Sequence, residues 1–271
     1  MQSFRYSPAA PLSGYIDSFW YRRGYAPQRR CERALPGGSV DVTFNLHEDR
    51  IRMFRDAADR EGLTVNGAIV HGAQSRYFVL DARKDVHVVG VHFRPGGGVL
   101  LGLPASELRD RHLALEDIWG VQARCVREQL LEAGEPRAMF RVLEREFLRR
   151  LQLPLLVNPA ISFALRQFDS SRPLRIEAVQ HATGYGERRF VALFDSIVGL
   201  TPKLYSRVQR LKRAVAQIAV GKSELAQIAL DHGFYDQSHL TREFREFAGV
   251  TPGAYRPVPD RDPLHAEVDT R

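Results

Sequence analysis

Six polar side chains near the C-terminus have the types and spacing needed to read the edges of DNA bases. They lie on a segment whose apolar residues Leu240, Phe244 and Phe247 recur with helical spacing and are expected to be buried. The side chains left facing outward are Gln237, Ser238, His239, Thr241, Arg242 and Arg245. Arginine donates two hydrogen bonds to guanine, and glutamine pairs in the same way with adenine. The pattern therefore predicts a helix that recognises bases in the major groove.

A turn and a shorter helix must hold this recognition helix in place. Leu225, Ile228 and Ala229 form the apolar stripe of a helix over residues 224–231. Gly233 is expected to end that helix, since glycine adopts the left-handed conformation that a helix C-terminus requires. Asp236 or Ser238 is placed to cap the next helix. The segment therefore has the organisation of a helix-turn-helix unit.

The chain repeats this organisation fifty residues earlier. Residues 199–205 read Gly-Leu-Thr-Pro-Lys-Leu-Tyr and residues 249–255 read Gly-Val-Thr-Pro-Gly-Ala-Tyr. The first copy differs on its outward face, which carries Arg188, Arg189, Val191 and Ala192. We expect Arg188 to contact a guanine or a phosphate, and Val191 or Ala192 to contact thymine methyl groups. The two copies should therefore read different half-sites.

A long helix is predicted between the two copies, with its apolar stripe running from Leu204 to Ile218. Its length of roughly 25 Å suits two recognition helices in successive major grooves, which repeat about every 34 Å. Four cations are placed for contacts with DNA phosphates. They are Arg189, Lys203, Arg207 and Arg245.

These motifs resemble the AraC/XylS family of bacterial transcription regulators. The resemblance covers residues 158–257 and is strongest over residues 231–244, continued by 249–252 and by Tyr255-Arg256. It implies an all-α domain of two helix-turn-helix units, double-stranded DNA as partner, and contact with RNA polymerase. Gln180 and Gly186 depart from the family pattern, which favours a small residue and a serine cap at these positions.

The N-terminal part of the chain has the alternation of β-strands. Residues 40–46 and 87–93 alternate with period two, and residues 15–21, 68–72 and 77–80 suggest further strands. From Pro104 the pattern becomes helical, with helices predicted over 121–131 and 136–151. Leu153-Pro154 and Asn158-Pro159 are expected to form a hinge, with Asn158 capping the following helix. The fold class expected is α+β: a small N-terminal β-barrel or sandwich, then helices, then an all-α C-terminal domain.

Residues 8–120 resemble, more weakly, the cupin-like domains that precede AraC-type modules. The resemblance rests on Trp20-Tyr21, on residues 35–46 and on residues 90–97. It implies a sensor or dimerisation domain. If the domain is a sensor, an effector is expected between its sheets near Trp20, Phe44, Val91 or Phe93.

Catalytic and metal-binding alternatives find less support. His47, His71, His87 and His92 could gather around a metal, but His87 and His92 lie five positions apart and point to opposite faces of one strand. We therefore expect no metal and no cofactor. The triple glycine at 96–98 lacks the Lys-Ser/Thr of a phosphate-binding loop. The alternative class is an enzyme or DNA-repair fusion that uses Cys31, whose flanking arginines could lower its thiol pKa.

Composition sets the remaining expectations. The 271 residues, 44% of them hydrophobic, are enough for two domains. We expect residues 1–152 to form the sensor or dimerisation domain with its helical extension, 158–257 the DNA-binding domain, and 258–271 a flexible tail. The net charge of +7 is spread over both halves of the chain. No signal peptide or membrane helix is recognised, and two cysteines are too few for a disulfide framework. We therefore predict a cytoplasmic, non-enzymatic regulator, and the sequence leaves open whether it is a homodimer.

Overall fold

In the part of the chain that the structure describes, the N-terminal region is built on two antiparallel β-sheets, one of which gains a strand from the C-terminal segment. The computed structural model describes residues 1–84, 86–151, 158–170 and 173–268. The strands are β1 (Gln2–Tyr6), β2 (Ile16–Arg23), β3 (Cys31–Ala34), β4 (Asp41–Asn45), β5 (Ile51–Phe54), β6 (Leu63–Val65), β7 (Ala68–His71), β8 (Phe78–Asp81), β9 (His87–Phe93), β10 (His112–Ala114) and β11 (His265–Glu267). One sheet has the order β1-β2-β9-β4-β7-β10 and the other β11-β3-β8-β5-β6. The five strands predicted from alternation correspond to β2, β4, β7, β8 and β9.

Three helices cover one face of the six-stranded sheet. They are α1 (Leu115–Trp119), α2 (Val121–Ala133) and α3 (Pro136–Arg150). Alternate residues of β2, β4 and β9 point toward these helices, so that Phe19, Phe44 and Val91 share one core with Phe140 and Phe147. Residues of the opposite sheet face, such as Ile69, pack with Met53 of the five-stranded sheet. The period-two pattern of the sequence therefore separates two different buried surfaces.

Over residues 158–170 and 173–268, the C-terminal region contains six α-helices. They are α4 (Pro159–Asp169), α5 (Ile176–Ala182), α6 (Glu187–Val198), α7 (Pro202–Val220), α8 (Leu225–Asp231) and α9 (Gln237–Ala248). Their core contains the aromatic residues Phe190, Phe194, Tyr205, Phe244 and Tyr255, as the helical spacing predicts. The α+β class is therefore confirmed, with a β-rich N-terminal region followed by helices and two helix-turn-helix units.

Side-chain caps fix where several of these helices begin. Asn158 Oδ1 accepts hydrogen bonds from the backbone N–H groups of Ala160 and Ile161, at 3.0 and 3.2 Å. Thr201 Oγ1 accepts one from Leu204 at 3.3 Å and starts α7. At 19 residues, α7 spans about 28 Å. The predicted hinge residues Leu153 and Pro154 lie outside the described part of the chain.

The structure differs from the prediction for the C-terminal tail. Residues 258–268 are packed against the N-terminal sheet, where β11 pairs with β3 and Ala266 and Val268 are buried. Arg261 binds Glu32 at 2.5 Å, and each side chain is only 3% exposed. A three-residue strand has too little pattern to be recognised in a sequence, because it is stabilised by the edge of a distant strand. The expectation of a flexible tail is therefore wrong for residues 258–268.

Candidate nucleic-acid interface

The second helix-turn-helix unit presents an open polar groove along α9. Five of the six predicted base-contacting side chains line it, together with Glu246 and Thr251. The five are Gln237, Ser238, Thr241, Arg242 and Arg245. Four of these five are exposed, and Thr241 is half-buried because it lies nearer the core stripe. The structure therefore brings most of the predicted reading residues onto one accessible face.

His239 has a different position from the one predicted. Its Nδ1 accepts a hydrogen bond from the backbone N–H of Tyr235 at 3.1 Å, while its own backbone N–H donates to Asp236 Oδ1 at 2.6 Å. The ring is half-buried, with Nε2 3.4 Å from the Glu243 carboxylate. The expectation that His239 faces outward for DNA contact is therefore wrong, because its side chain closes the turn before α9.

A buried carboxylate joins α9 to α7. Glu243 accepts hydrogen bonds from Arg207 Nε at 2.7 Å and from Arg210 at 2.8 Å, and its side chain is 7% exposed. Burial alone would raise the pKa of Glu243, but the hydrogen bonds and charges of Arg210 and Arg207 outweigh it and hold that pKa below its usual value. Arg207 also binds Glu246 at 2.6 Å. Its guanidinium is therefore committed to carboxylates, which contradicts its prediction as a phosphate contact.

The first unit exposes a less polar face on α6. Arg188, Arg189 and Ala192 are exposed, as predicted, whereas Val191 is half-buried. Arg189 lies over the ring of Tyr185, 4.9 Å from its centroid. Lys203, at the start of α7, is also exposed. Of the four residues of α6 predicted to contact DNA, three are therefore exposed and Val191 is partly accessible. Arg188 and Ala192 lie away from the Tyr185 ring that Arg189 covers.

Gln180 and Gly186, which depart from the AraC/XylS pattern, have different structural roles in the turn of the first unit. Gln180 donates a hydrogen bond to the backbone carbonyl of Tyr185 and thereby holds the turn together. Gly186 begins α6 without a side-chain cap, whereas Asp236 caps α9. The first recognition helix is therefore held by a bond across its turn rather than by a cap at its start.

The C-terminal ends of both recognition helices contact the N-terminal region, which the sequence did not reveal. Arg109 donates to the Gly199 carbonyl at 2.8 Å and forms an ion pair with Asp195 of α6. The backbone N–H of Tyr77 donates to the Phe247 carbonyl at 2.7 Å. Gly249 has φ +70°, and a Cβ there would lie 2.3 Å from the Tyr77 ring. The repeated glycines therefore both end a helix and allow close contact, but the sequence pattern signals only the first role.

A crevice of about 720 Å³ separates α4 and α6 from the loops after β9. Its walls include Tyr15, Val99, Leu103, Leu165 and Ile197, and most of its surface is apolar. Arg94 from the N-terminal region and Arg166 from α4 also line it. The crevice therefore combines an apolar interior with two arginines, one from each region, and the Asp169 carboxylate.

The four residues predicted for effector binding do not line this crevice. Phe44, Val91 and Phe93 are fully packed in the core under α1–α3, on the helix side of the sheet and not between the two sheets. Trp20 is on the opposite face, where its ring stacks on His92 at 5.6 Å. The expectation of an effector between the sheets near these residues is therefore wrong for Phe44, Val91 and Phe93, because strand alternation turns them toward the helices and away from the face that carries Trp20.

The candidate metal-binding histidines contact different neighbours. His87 packs against Tyr21 on the helix side, and His92 is bonded to Asp41 on the other side, as their spacing predicts. His71 Nδ1 lies 3.0 Å from His112 Nδ1, and burial followed by the charge of His71 lowers the pKa of His112 to about 3. Among the residues that the structure describes, no three His, Cys, Asp or Glu side chains are arranged to hold a metal ion.

Cys31 lacks the features of an activated thiol. Burial, and then the charge of Asp81, raises the pKa of Cys31 despite the neighbouring arginines. The idea that those arginines lower its pKa is therefore wrong.

Over the described residues, no helix has the length and apolar character needed to cross a membrane.

Comparisons with known proteins agree with the helix-turn-helix units at the C-terminus. Residues 180–257 match the sequence profile of a helix-turn-helix domain, and residues 4–114 match a domain of unknown function (DUF6597). The Transposon Tn10 TetD protein of Escherichia coli is 34% identical over 83 residues, which are 31% of this chain and 60% of TetD. The probable transcription factor PqrA of Proteus vulgaris is 26% identical over 100 residues, covering 37% of this chain and 82% of PqrA.

A longer match and a solved structure extend the comparison. The transcriptional regulator AlkR of Acinetobacter baylyi is 25% identical over 134 residues, which are 49% of this chain and 40% of AlkR. Fatty-acid-bound ToxT from Vibrio cholerae is 12% identical with a TM-score of 0.47, over 86% of this chain and 93% of ToxT. The sequence matches cover only part of TetD and AlkR. Residues 180–257 of this chain form a helix-turn-helix domain of the AraC type.

Proposed function

We propose that the chain is a sequence-specific DNA-binding transcription regulator. The observation that carries the proposal is the polar groove on α9, where Gln237, Ser238 and Arg242 are accessible on a helix capped by Asp236. These side chains have the donors that base edges in the major groove accept. The aligned regions of PqrA and AlkR, both described as transcription factors or regulators, support the same function.

The two recognition helices would read different half-sites. On α9, Arg242 and Gln237 donate hydrogen bonds to base edges, while α6 offers Arg188 to a guanine or phosphate and Ala192 or Val191 to thymine methyl groups. Exposed Arg189, Lys203 and Arg245 contact phosphates, which sets the register without reading sequence. Residues 158–257 act as the DNA-binding domain and residues 1–152 as the regulatory domain. RNA polymerase and a second copy of the chain are the protein partners in this proposal, and the cytoplasm is the compartment.

Genome-wide footprinting of the full chain, followed by affinity measurements on the recovered sites, tests this function. We expect the recovered sites to share two dissimilar half-sites about one helical turn apart. Binding to a recovered site should exceed binding to a shuffled duplex by at least about 1,000-fold at the same salt concentration. Equal affinity for both duplexes would contradict the proposal.

We also propose that DNA binding responds to a small molecule in the crevice between α4, α6 and the loops after β9. A ligand there would touch both Leu103 of the N-terminal region and Ile197 of the recognition helix α6. Its apolar body would contact these walls, and Arg166 would favour an anionic group. Because the ligand would touch both regions, it can change how α6 is held.

Two matched dyes test the crevice. Anilinonaphthalene sulfonate carries an anionic group, and N-phenyl-1-naphthylamine has the same aromatic body without it. We expect Ser162→Trp, which fills the crevice, to weaken both dyes, and Arg166→Gln to weaken only the sulfonate. Arg141→Gln, on the exposed face of α3, serves as a control that should change neither. Unchanged binding of both dyes to Ser162→Trp would contradict an effector site in the crevice.

A further inference from the structure

Tyr235 is a large, exposed side chain at the entrance to α9 that base reading does not explain. It is 88% exposed, although a tyrosine ring gains stability by burial. It is also the extra residue of the second turn: Tyr185 of the first unit corresponds to Phe234, and nothing there corresponds to Tyr235. Tyr185 is half-buried, with its hydroxyl 3.4 Å from Asn158 Nδ2. The exposed tyrosine is thus a feature of the second unit alone.

The backbone that carries Tyr235 is fixed from both sides. Its N–H donates to His239 Nδ1 at 3.1 Å, and the neighbouring Asp236 accepts from the His239 N–H at 2.6 Å. These bonds resemble a capping box, with histidine in place of the usual Glu or Gln and with the residue before the cap, Tyr235, as the backbone donor. The remaining ring nitrogen of His239 lies 3.4 Å from Glu243, which Arg207 and Arg210 hold in place. The Tyr235 Cα is therefore part of a network that extends to α7, although its ring points into solvent.

We propose that the Tyr235 hydroxyl donates a hydrogen bond to one phosphate of the DNA strand beside the groove that α9 enters. This inference rests on the proposed function of α9. In a helix-turn-helix unit the first residues of the recognition helix meet base edges, so the residue just before the cap lies beside the groove wall. Tyrosine is among the side chains that bond phosphate oxygens and position a protein without reading sequence. The contact would anchor the second half-site and have no counterpart in the first.

A neutral phosphate contact can be distinguished from a cationic one. Removing a cation reduces the number of counterions released on binding and so lowers the salt dependence of affinity. Tyr235→Phe should instead weaken binding on the order of 3- to 10-fold, equally on preferred and shuffled duplexes, with an unchanged salt slope. The matched control is Tyr185→Phe, which changes the corresponding tyrosine of the first unit.

Single methylphosphonate substitutions along the recovered site provide the direct test, with full-length protein throughout. At one position in the second half-site, the methylphosphonate should weaken DNA binding by the wild type and by Tyr185→Phe. Its effect on binding by Tyr235→Phe should be several-fold smaller. His239→Ala removes the acceptor that holds Tyr235 and should also reduce the effect of this methylphosphonate on affinity. A loss of helix stability alone would leave that effect unchanged. Identical methylphosphonate profiles for wild type and Tyr235→Phe would overturn the inference. A wild type without operator preference would instead contradict the proposed function, so the two failures can be told apart.

Discussion

Replacing Glu243 by glutamine should destabilise the C-terminal helices more than any change of an exposed carboxylate. Glu243 accepts two charge-assisted hydrogen bonds, from Arg207 and Arg210, each of the kind that contributes roughly 1.5–3 kcal/mol. The two arginine side chains are about a quarter exposed, at 26% and 24%, so water replaces part of what is lost. We therefore expect Glu243→Gln to reduce the free energy of unfolding by about 2–4 kcal/mol at pH 7.

Glu246 offers a matched control. It binds the same Arg207 at 2.6 Å, but its side chain is 55% exposed, and Glu246→Gln should cost less than about 1 kcal/mol. Urea unfolding followed by far-UV circular dichroism reports the helices, while both tryptophans, Trp20 and Trp119, report the N-terminal region. Equal destabilisation by Glu243→Gln and Glu246→Gln would refute the reasoning, since burial would then make no difference.

The Glu243 contribution should also depend on pH. Because the folded-state pKa of Glu243 lies below the ordinary value of 4.5, its contribution is present above that value and is lost as pH falls through the folded-state pKa. The difference in stability between wild type and Glu243→Gln should therefore shrink as the pH is lowered below about 4.5. A difference that stays constant down to acid unfolding would contradict the assigned pKa direction.

Four further substitutions test other parts of the structure. Arg109→Met should reduce the free energy of unfolding by only about 1–2 kcal/mol, because its ion pair with Asp195 is partly exposed. Loss of this pair should speed amide hydrogen exchange at the C-terminal end of α6, and unchanged exchange would argue against the contact. Arg261→Met should reduce the free energy of unfolding by about 3–5 kcal/mol, seen by tryptophan fluorescence, because it removes the cation that neutralises the buried Glu32 carboxylate and leaves that charge to the Tyr25 hydroxyl. A loss below 1 kcal/mol would contradict the packed C-terminal segment. Arg245→Ala should lower the salt slope of DNA binding by about 1, whereas Arg207→Ala should leave it unchanged because its guanidinium is bound to carboxylates.

The helix-turn-helix units could be predicted from sequence because their signals are local. Residues such as Phe190 and Phe244 recur with helical period, and Gly199 and Gly249 end each recognition helix within a few residues of them. The strands β4 and β9 were found for the same reason, since five to seven alternating residues suffice. Local patterning therefore predicts the helices of the two units, five of the described strands and most of the outward face of α9.

Other features were missed because their partners are distant in sequence. His239 has the spacing of an outward residue, but its ring turns back to the backbone of Tyr235. Arg207 has the composition of a phosphate contact, yet two carboxylates 36 and 39 positions away bind it. Such pairings depend on how α7 and α9 pack. The same holds for β11, whose partner β3 lies more than two hundred residues earlier.

Selection of bound sequences from a random duplex library most directly tests the claim that α9 and α6 read different half-sites. Wild type, Arg242→Ala and Ala192→Arg would be compared under one salt condition. We predict that Arg242→Ala costs about 1–3 kcal/mol and relaxes preference at one position of one half-site, while Ala192→Arg changes preference only in the other half-site. A uniform loss of affinity for Arg242→Ala with all base preferences intact would make Arg242 a phosphate contact and contradict the account.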